Sequence, residues 1–164
     1  MHAGWGVRTL SATAVAYDPL PYHRGSIWPH DTALIIDGLA RTRRHAAVAT
    51  LVDGVLAVAE HNGWRLPELI AGYGTDTVDA PVPYPVACSP QAWSAAAPLL
   101  LLCTVLRLEP DVPAGLVAIG PCLDPDLTLE VTGIGLGEHR LDVSIDRDRI
   151  TAAADPPLDI TIGR

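Results

Sequence analysis

The sequence predicts a mainly α chain that closes on a small antiparallel β region. Three observations carry this. Apolar residues recur with helical period over 30–42 and again over 45–61, and a third, nearly continuous apolar stretch begins after Ser89 and Pro90. Beyond Glu109, Pro110, Asp111, Val112 and Pro113 the pattern changes to short alternating segments divided by glycines. The expected domains are therefore 1–113 and 114–164.

Residues 1–29 are rich in Gly, Pro and aromatic side chains and lack helical periodicity, which predicts an ordered loop carrying side chains into a site. In 30–42, Ala33, Leu34, Ile35, Ile36, Leu39 and Ala40 define the first helix, with Pro29 near its first turn and Asp31 beside its N-terminal dipole. The second helix, 45–61, has a broad apolar face and a stop at Asn62 and Gly63. Residues 63–88 hold Gly72, Gly74, Pro81, Pro83 and Pro85 and predict a second long loop, uncommon in a compact domain unless functional. The third helix is expected over 89–108, with Ser89 as N-cap, Pro90 in the first turn and a kink at Pro98. It is apolar nearly all round, which predicts burial against several neighbours. Short strands are expected at 127–131, 134–136, 139–145 and 158–162, with Gly133 and Gly137 at turns.

The 164 residues are 49% hydrophobic, a globular rather than a disordered composition. Charged residues make up 18%, below the roughly 25% of soluble domains, so some apolar surface is expected to be covered by something outside this chain. A net charge of -8 argues against nucleic acid as partner, and Arg41, Arg43 and Arg44 read as a solvated helix end. Cys88, Cys103 and Cys122 are odd in number and widely spaced, which predicts neither a disulfide framework nor a cysteine zinc site and fits a reducing, cytoplasmic setting. No secretory leader and no membrane span are expected, since the apolar run at 95–106 is shorter than the roughly 20 residues a span needs.

Chemistry is concentrated in Pro21, Tyr22, His23, Arg24, Gly25, Ser26, Ile27, Trp28, Pro29, His30 and Asp31. Aromatic faces suit the C–H surface of a sugar, and Arg, His and Asp suit its hydroxyls. Composition alone leaves a ligand site and a buried polar loop both open. His23, His30 and Asp31 are residue types that bind zinc, but their spacing matches no metal motif, and no metal or other cofactor is expected. Gly25, Ser26 and Ile27 lack the nucleophile-elbow pattern, which removes a serine hydrolase.

Gly4–Leu10 (Gly4, Trp5, Gly6, Val7, Arg8, Thr9, Leu10) followed by Tyr22 through Asp31 resembles the late-barrel signature of bacterial amylo-α-1,6-glucosidase, the glycogen-debranching type of (α/α)6-barrel glycoside hydrolase. Arg65, Leu66, Pro67, Glu68 and Leu69 resemble that family's carboxylate loop. Residues 83–93, with Ser89, Pro90, Gln91, Ala92 and Trp93, resemble the start of its last major helix. The similarity spans about 4–108, with departures at Thr32 and at Ile70 and Ala71. It implies a partial (α/α)6 toroid of about three long helices, six-hairpin glycosidase chemistry, and hydrolysis of α-glucosidic bonds in oligosaccharides or glycogen-like glucans.

A glycosidase needs an acid and a carboxylate, about 6.5–9.5 Å apart when the enzyme inverts. By resemblance Glu68 is the general base, with Arg65 holding it ionised; the alternative is a surface ion pair or a structural cap. Trp5, Tyr22, His23, Arg24, Trp28, His30, Asp31, Arg65 and Gln91 are the expected substrate-binding residues, Asp31 also being readable as a structural helix-start carboxylate. Asp76 and Asp79 read as solvated. The upstream helices and the loop bearing the general acid are not found, so catalysis is expected to be incomplete in this chain alone. The alternative is a noncatalytic fragment or split-enzyme half that binds carbohydrate, itself or a complementary barrel fragment.

Overall fold

The computed structural model describes residues 1–122, 128–147 and 149–163. Three helices, α1 (Pro29–Arg41), α2 (His45–His61) and α3 (Ala92–Leu106), fall on the three periodic segments. The rest is not a mainly α toroid. Among the described residues six strands, β1 (Glu109–Asp111), β2 (Leu116–Ile119), β3 (Thr128–Leu136), β4 (His139–Asp146), β5 (Arg149–Asp155) and β6 (Asp159–Ile162), form two sheets. The expectation of a partial (α/α)6 barrel with a small antiparallel appendage is therefore corrected. The long segments between helices stay irregular, and the chain after α3 pairs strands. One sheet is also mixed, because β2 runs parallel to β6.

The chain divides into two compact units, Met1–Leu101 and Leu102–Arg164. In the first, α1 and α2 are in contact, and their buried faces are Ala33, Ile36 and Ala40 on α1 and Val48, Leu51, Val55 and Val58 on α2. The two long loops lie along each other through isolated bridges that run Arg8 to Ile27, Ile27 to Ile70 and Ile70 to Pro83. Ile27 and Ile70 exchange backbone hydrogen bonds of 3.0 and 2.9 Å, and both side chains are 1% exposed. Apolar burial and saturated backbone groups thus order segments that carry no helical period.

Two helical glycines make opposite predictions. Gly38 in α1 is exposed, and an added Cβ would meet nothing within 4 Å. Gly38→Ala is expected to raise stability by about 0.5–1 kcal/mol, since alanine loses less backbone entropy in a helix. Gly54 in α2 is buried; there a Cβ would overlap the Gly4 carbonyl oxygen and reach the Trp5 carbonyl carbon at 3.0 Å. Gly54→Ala is expected to cost about 1–3 kcal/mol by forcing the first loop off the helix. Urea midpoints of the two variants read both signs.

Helix α3 begins at Ala92 rather than at Ser89, so Ser89 is not its cap. The Gln91 carbonyl accepts the first helical bond from Ala95 at 2.9 Å. Pro98 lies inside the helix. The expected all-round burial is not found either: Trp93 is 49% and Leu99 67% exposed, while Ser94, Ala97, Leu101 and Thr104 are buried. In the second unit the end of α3 is closed by Gly120 and Cys122, whose amides donate to the carbonyls of Leu106 and Val105 at 3.0 and 2.9 Å.

Strands β3, β4 and β5 are sequential and antiparallel. On β4, Leu141, Val143 and Ile145 point inward and alternate with exposed residues. The segments expected at 134–136 and from 128 to 131 are one strand, irregular between Val131 and Ile134; Leu127, where a strand start was expected, lies outside the described residues. Gly133, expected at a turn, sits in that irregularity at φ 72° and donates its amide to Asp142 Oδ1 at 2.7 Å. Gly137 does make a turn, at φ 63°, between the paired Leu136 and His139. No helix among the described residues is long and apolar enough to cross a membrane.

Candidate functional site

The ladder between Ile27 and Ile70 sets the Tyr22 loop beside Glu68. Glu68 is 5% exposed, and its carboxylate is held by two segments distant in sequence, the Tyr22 loop and residues 88–91. The Tyr22 hydroxyl and the Gln91 amide, the latter at 3.3 Å, donate to Oε1; the Cys88 backbone amide donates to Oε2 at 3.0 Å. Glu68 in turn donates its own amide to the Cys88 carbonyl at 3.2 Å. Gln91 is fixed for this task because its side-chain carbonyl accepts from the Ala92 amide at 2.8 Å.

These donors decide the charge state. The Cys88 amide and then the Tyr22 hydroxyl hold the Glu68 carboxyl below its ordinary value, outweighing the opposing effect of burial. Tyr22 is correspondingly pushed up to about 12, first by the hydrogen bond to Glu68 and then by burial and the adjacent negative charge. The same charge raises the Cys88 thiol. A carboxyl depressed in the fold stabilises the protein above the unfolded carboxylate range, and that contribution is lost as pH falls through the lowered value. Tyr22→Phe removes the hydroxyl donor, so the Glu68 titration is expected to move upward, as a carboxyl-carbon NMR titration would read. An unchanged midpoint would contradict a hydrogen bond to the charged form.

An aromatic cluster surrounds Tyr22. Trp28 and His23 meet it edge-on with ring centroids 4.8 and 4.7 Å away, Tyr84 lies at 5.9 Å, and His23 stacks on Trp28 at 5.6 Å. The Trp28 indole N–H donates to Ser26 Oγ at 3.1 Å, and Ser26 Oγ donates to the Tyr22 carbonyl at 2.5 Å, which fixes the loop around the ring. Tyr22, His23, Trp28, Glu68 and Gln91 are thus brought together. His30 and Asp31 form a separate pair at 3.2 Å, with His30 stacked on Trp93 at 5.4 Å. Arg24 faces Asp18 at 3.9 Å, both largely solvated. Among the described residues Arg65 forms no ion pair with Glu68; backbone and side-chain donors hold the carboxyl low, where the sequence pointed to a guanidinium. Trp5 is half-buried, with an indole nitrogen that is buried without a partner.

Three participants were not singled out from the sequence. Tyr84 sits in a quoted motif and its ring type was a usable signal. The Cys88 contribution is a backbone amide, which no side-chain pattern reveals. Arg8, 8% exposed, donates from Nε to the Gly72 carbonyl at 2.7 Å and from a terminal nitrogen to the His2 carbonyl at 3.1 Å, tying the N-terminal segment to the loop just beyond Glu68. Among the described residues no group of three His, Cys, Asp or Glu side chains is placed to hold a metal.

Residues 1–68 match the family model described as the mannosylglycerate hydrolase MGH1-like glycoside hydrolase domain. This stretch is similar to a glycoside hydrolase domain. The match supports a glycosidase-like function at that coarse level, with a carbohydrate as the ligand class, and it carries no specificity for glycogen debranching. It includes the Tyr22 loop and runs up to Glu68, the two sides of the short hydrogen-bonded pair. A comparison with curated proteins gave no match.

Proposed function

We propose that Glu68 is the general base of a glycoside hydrolase site, and that the Tyr22, His23 and Trp28 cluster forms the sugar-facing wall beside it. The observation that carries this reading is a buried carboxylate held ionised by the Cys88 amide, the Tyr22 hydroxyl and Gln91. A base must be unprotonated at working pH, and these donors keep it so at some cost in proton affinity. The reaction is inversion at an α-glycosidic bond: Glu68 takes a proton from water as the water attacks the anomeric carbon, while a second carboxyl protonates the leaving oxygen.

In this reading the general acid comes from polypeptide outside this chain, as the resemblance implies, and stands across the scissile bond at about 6.5–9.5 Å from Glu68. The glycone is an α-linked glucose of an oligosaccharide or glucan, with Arg24, His30, Asp31, Arg65 and Trp5 in substrate contacts farther from the base. The direct test is sugar release from an α-linked glucose oligosaccharide and from mannosylglycerate by the chain together with the polypeptide that supplies the acid, with the product anomer followed by NMR. Release from mannosylglycerate alone would replace the glucan assignment; a product that retains configuration would remove the role of base acting on water.

The exposed Trp93 and Leu99 on α3 favour a second reading, a noncatalytic half that associates with itself or with a complementary chain. Sedimentation of the isolated chain separates the two: a stable monomer that hydrolyses the substrate would exclude the second.

A further inference from the structure

A cavity of about 280 Å3 lies between the segment after α2 and the start of α3, lined by Trp64, Arg65, Ser89, Gln91 and Ser94 among others. Glu68 does not line it. Two observations mark it as more than a packing defect. Ser94 is fully buried, and its hydroxyl has no hydrogen-bond partner among the described residues, an arrangement that costs free energy unless a ligand or solvent group satisfies it. Trp64, in contrast, is 69% exposed and is held at φ 64°, a conformation unusual for a bulky residue, with its amide bonded to the Ala59 carbonyl at 2.7 Å.

We propose that this cavity is a second binding site, for a single neutral hexose or a polyol of that size, separate from the Glu68 cluster and joined to it through Gln91. Its volume is just below the roughly 300–1,000 Å3 of ordinary ligand pockets, which limits the occupant to about one ring. Trp64 offers an aromatic face, Ser89 and Ser94 offer hydroxyls, and Arg65, with no ion-pair partner among the described residues, offers donors at the rim. The nearby Glu68 charge and the net charge of -8 select against an anion. The Gln91 amide group carries two N–H donors, of which one reaches Glu68, so the other is free to meet a ligand hydroxyl without releasing the carboxylate. The site needs no hydrolysis at Glu68.

The test is titration of the full chain with D-glucose, following the Trp64 indole N–H resonance, assigned by its loss in Trp64→Phe. The expected result is a saturable shift that persists in Glu68→Gln and is about tenfold weaker in Ser94→Ala, whose empty form is no less stable than the parent. No saturable shift, or parental affinity in Ser94→Ala, overturns the site. Binding lost in Glu68→Gln also overturns it, because the sugar then sits at the carboxylate. Loss of hydrolysis in Glu68→Gln with glucose binding intact would leave this proposal standing whichever way the glycosidase reading falls.

Discussion

Glu68→Gln, assayed with whatever polypeptide supplies the acid, is expected to lower sugar release by about 10²–10⁴-fold, the usual worth of a general acid or base. The amide cannot take a proton from water, yet it fills the same space. Its carbonyl oxygen can still accept from Tyr22 and Gln91, while its NH2 group would face the Cys88 amide, one donor against another. Some local rearrangement around Cys88 is therefore expected, with the fold retained. The substitution also removes the acid-dependent part of stability that Glu68 supplies, so the variant should lose less stability than the parent on acidification. Kinetics at several pH values, with denaturant unfolding on the same samples, read both effects. Activity within a few-fold of the parent would leave Glu68 a structural clamp between loops.

Gly72→Ala is expected to cost about 1–3 kcal/mol or more and to reduce activity with it. An added Cβ would overlap the Gly25 carbonyl oxygen, and backbone on both sides cannot yield as a flexible side chain would. The Gly72 carbonyl accepts from Arg8 and, at 2.9 Å, from the Tyr17 hydroxyl, while its amide donates to the Pro19 carbonyl at 2.8 Å. Displacing it pushes the Tyr22 loop away from the segment that carries Glu68. Urea unfolding and the Tyr22 ionisation measured by ultraviolet titration check this, because separation from Glu68 should bring the phenol down from about 12. A variant of parental stability would show that the crossing of the two loops relaxes without strain.

The helices were legible because apolar period survives in a single sequence, and α1 and α2 match it within a residue or so. Glu68, Tyr22, Trp28 and Gln91 were legible as residue types in ordered motifs. The mainly α toroid was not: the three expected helices form, but the loops between them stay irregular and the chain after α3 pairs into two sheets, one of them mixed. β5, with Ala152, Ala153 and Ala154, has little strand propensity of its own and is a strand because β4 supplies a full ladder beside it. The parallel pairing of β2 with β6 joins residues some forty positions apart, which no local pattern encodes. At the site, Cys88 acts through its main chain, so only the folded loop discloses it.

A carboxylate offers about four lone-pair directions. Tyr22 and Gln91 occupy two on Oε1 and the Cys88 amide one on Oε2, so strong donors account for all but one. The open direction is on Oε2, so the oxygen to which a water molecule approaching Glu68 is directed is chosen by the stoichiometry of the donors already in place.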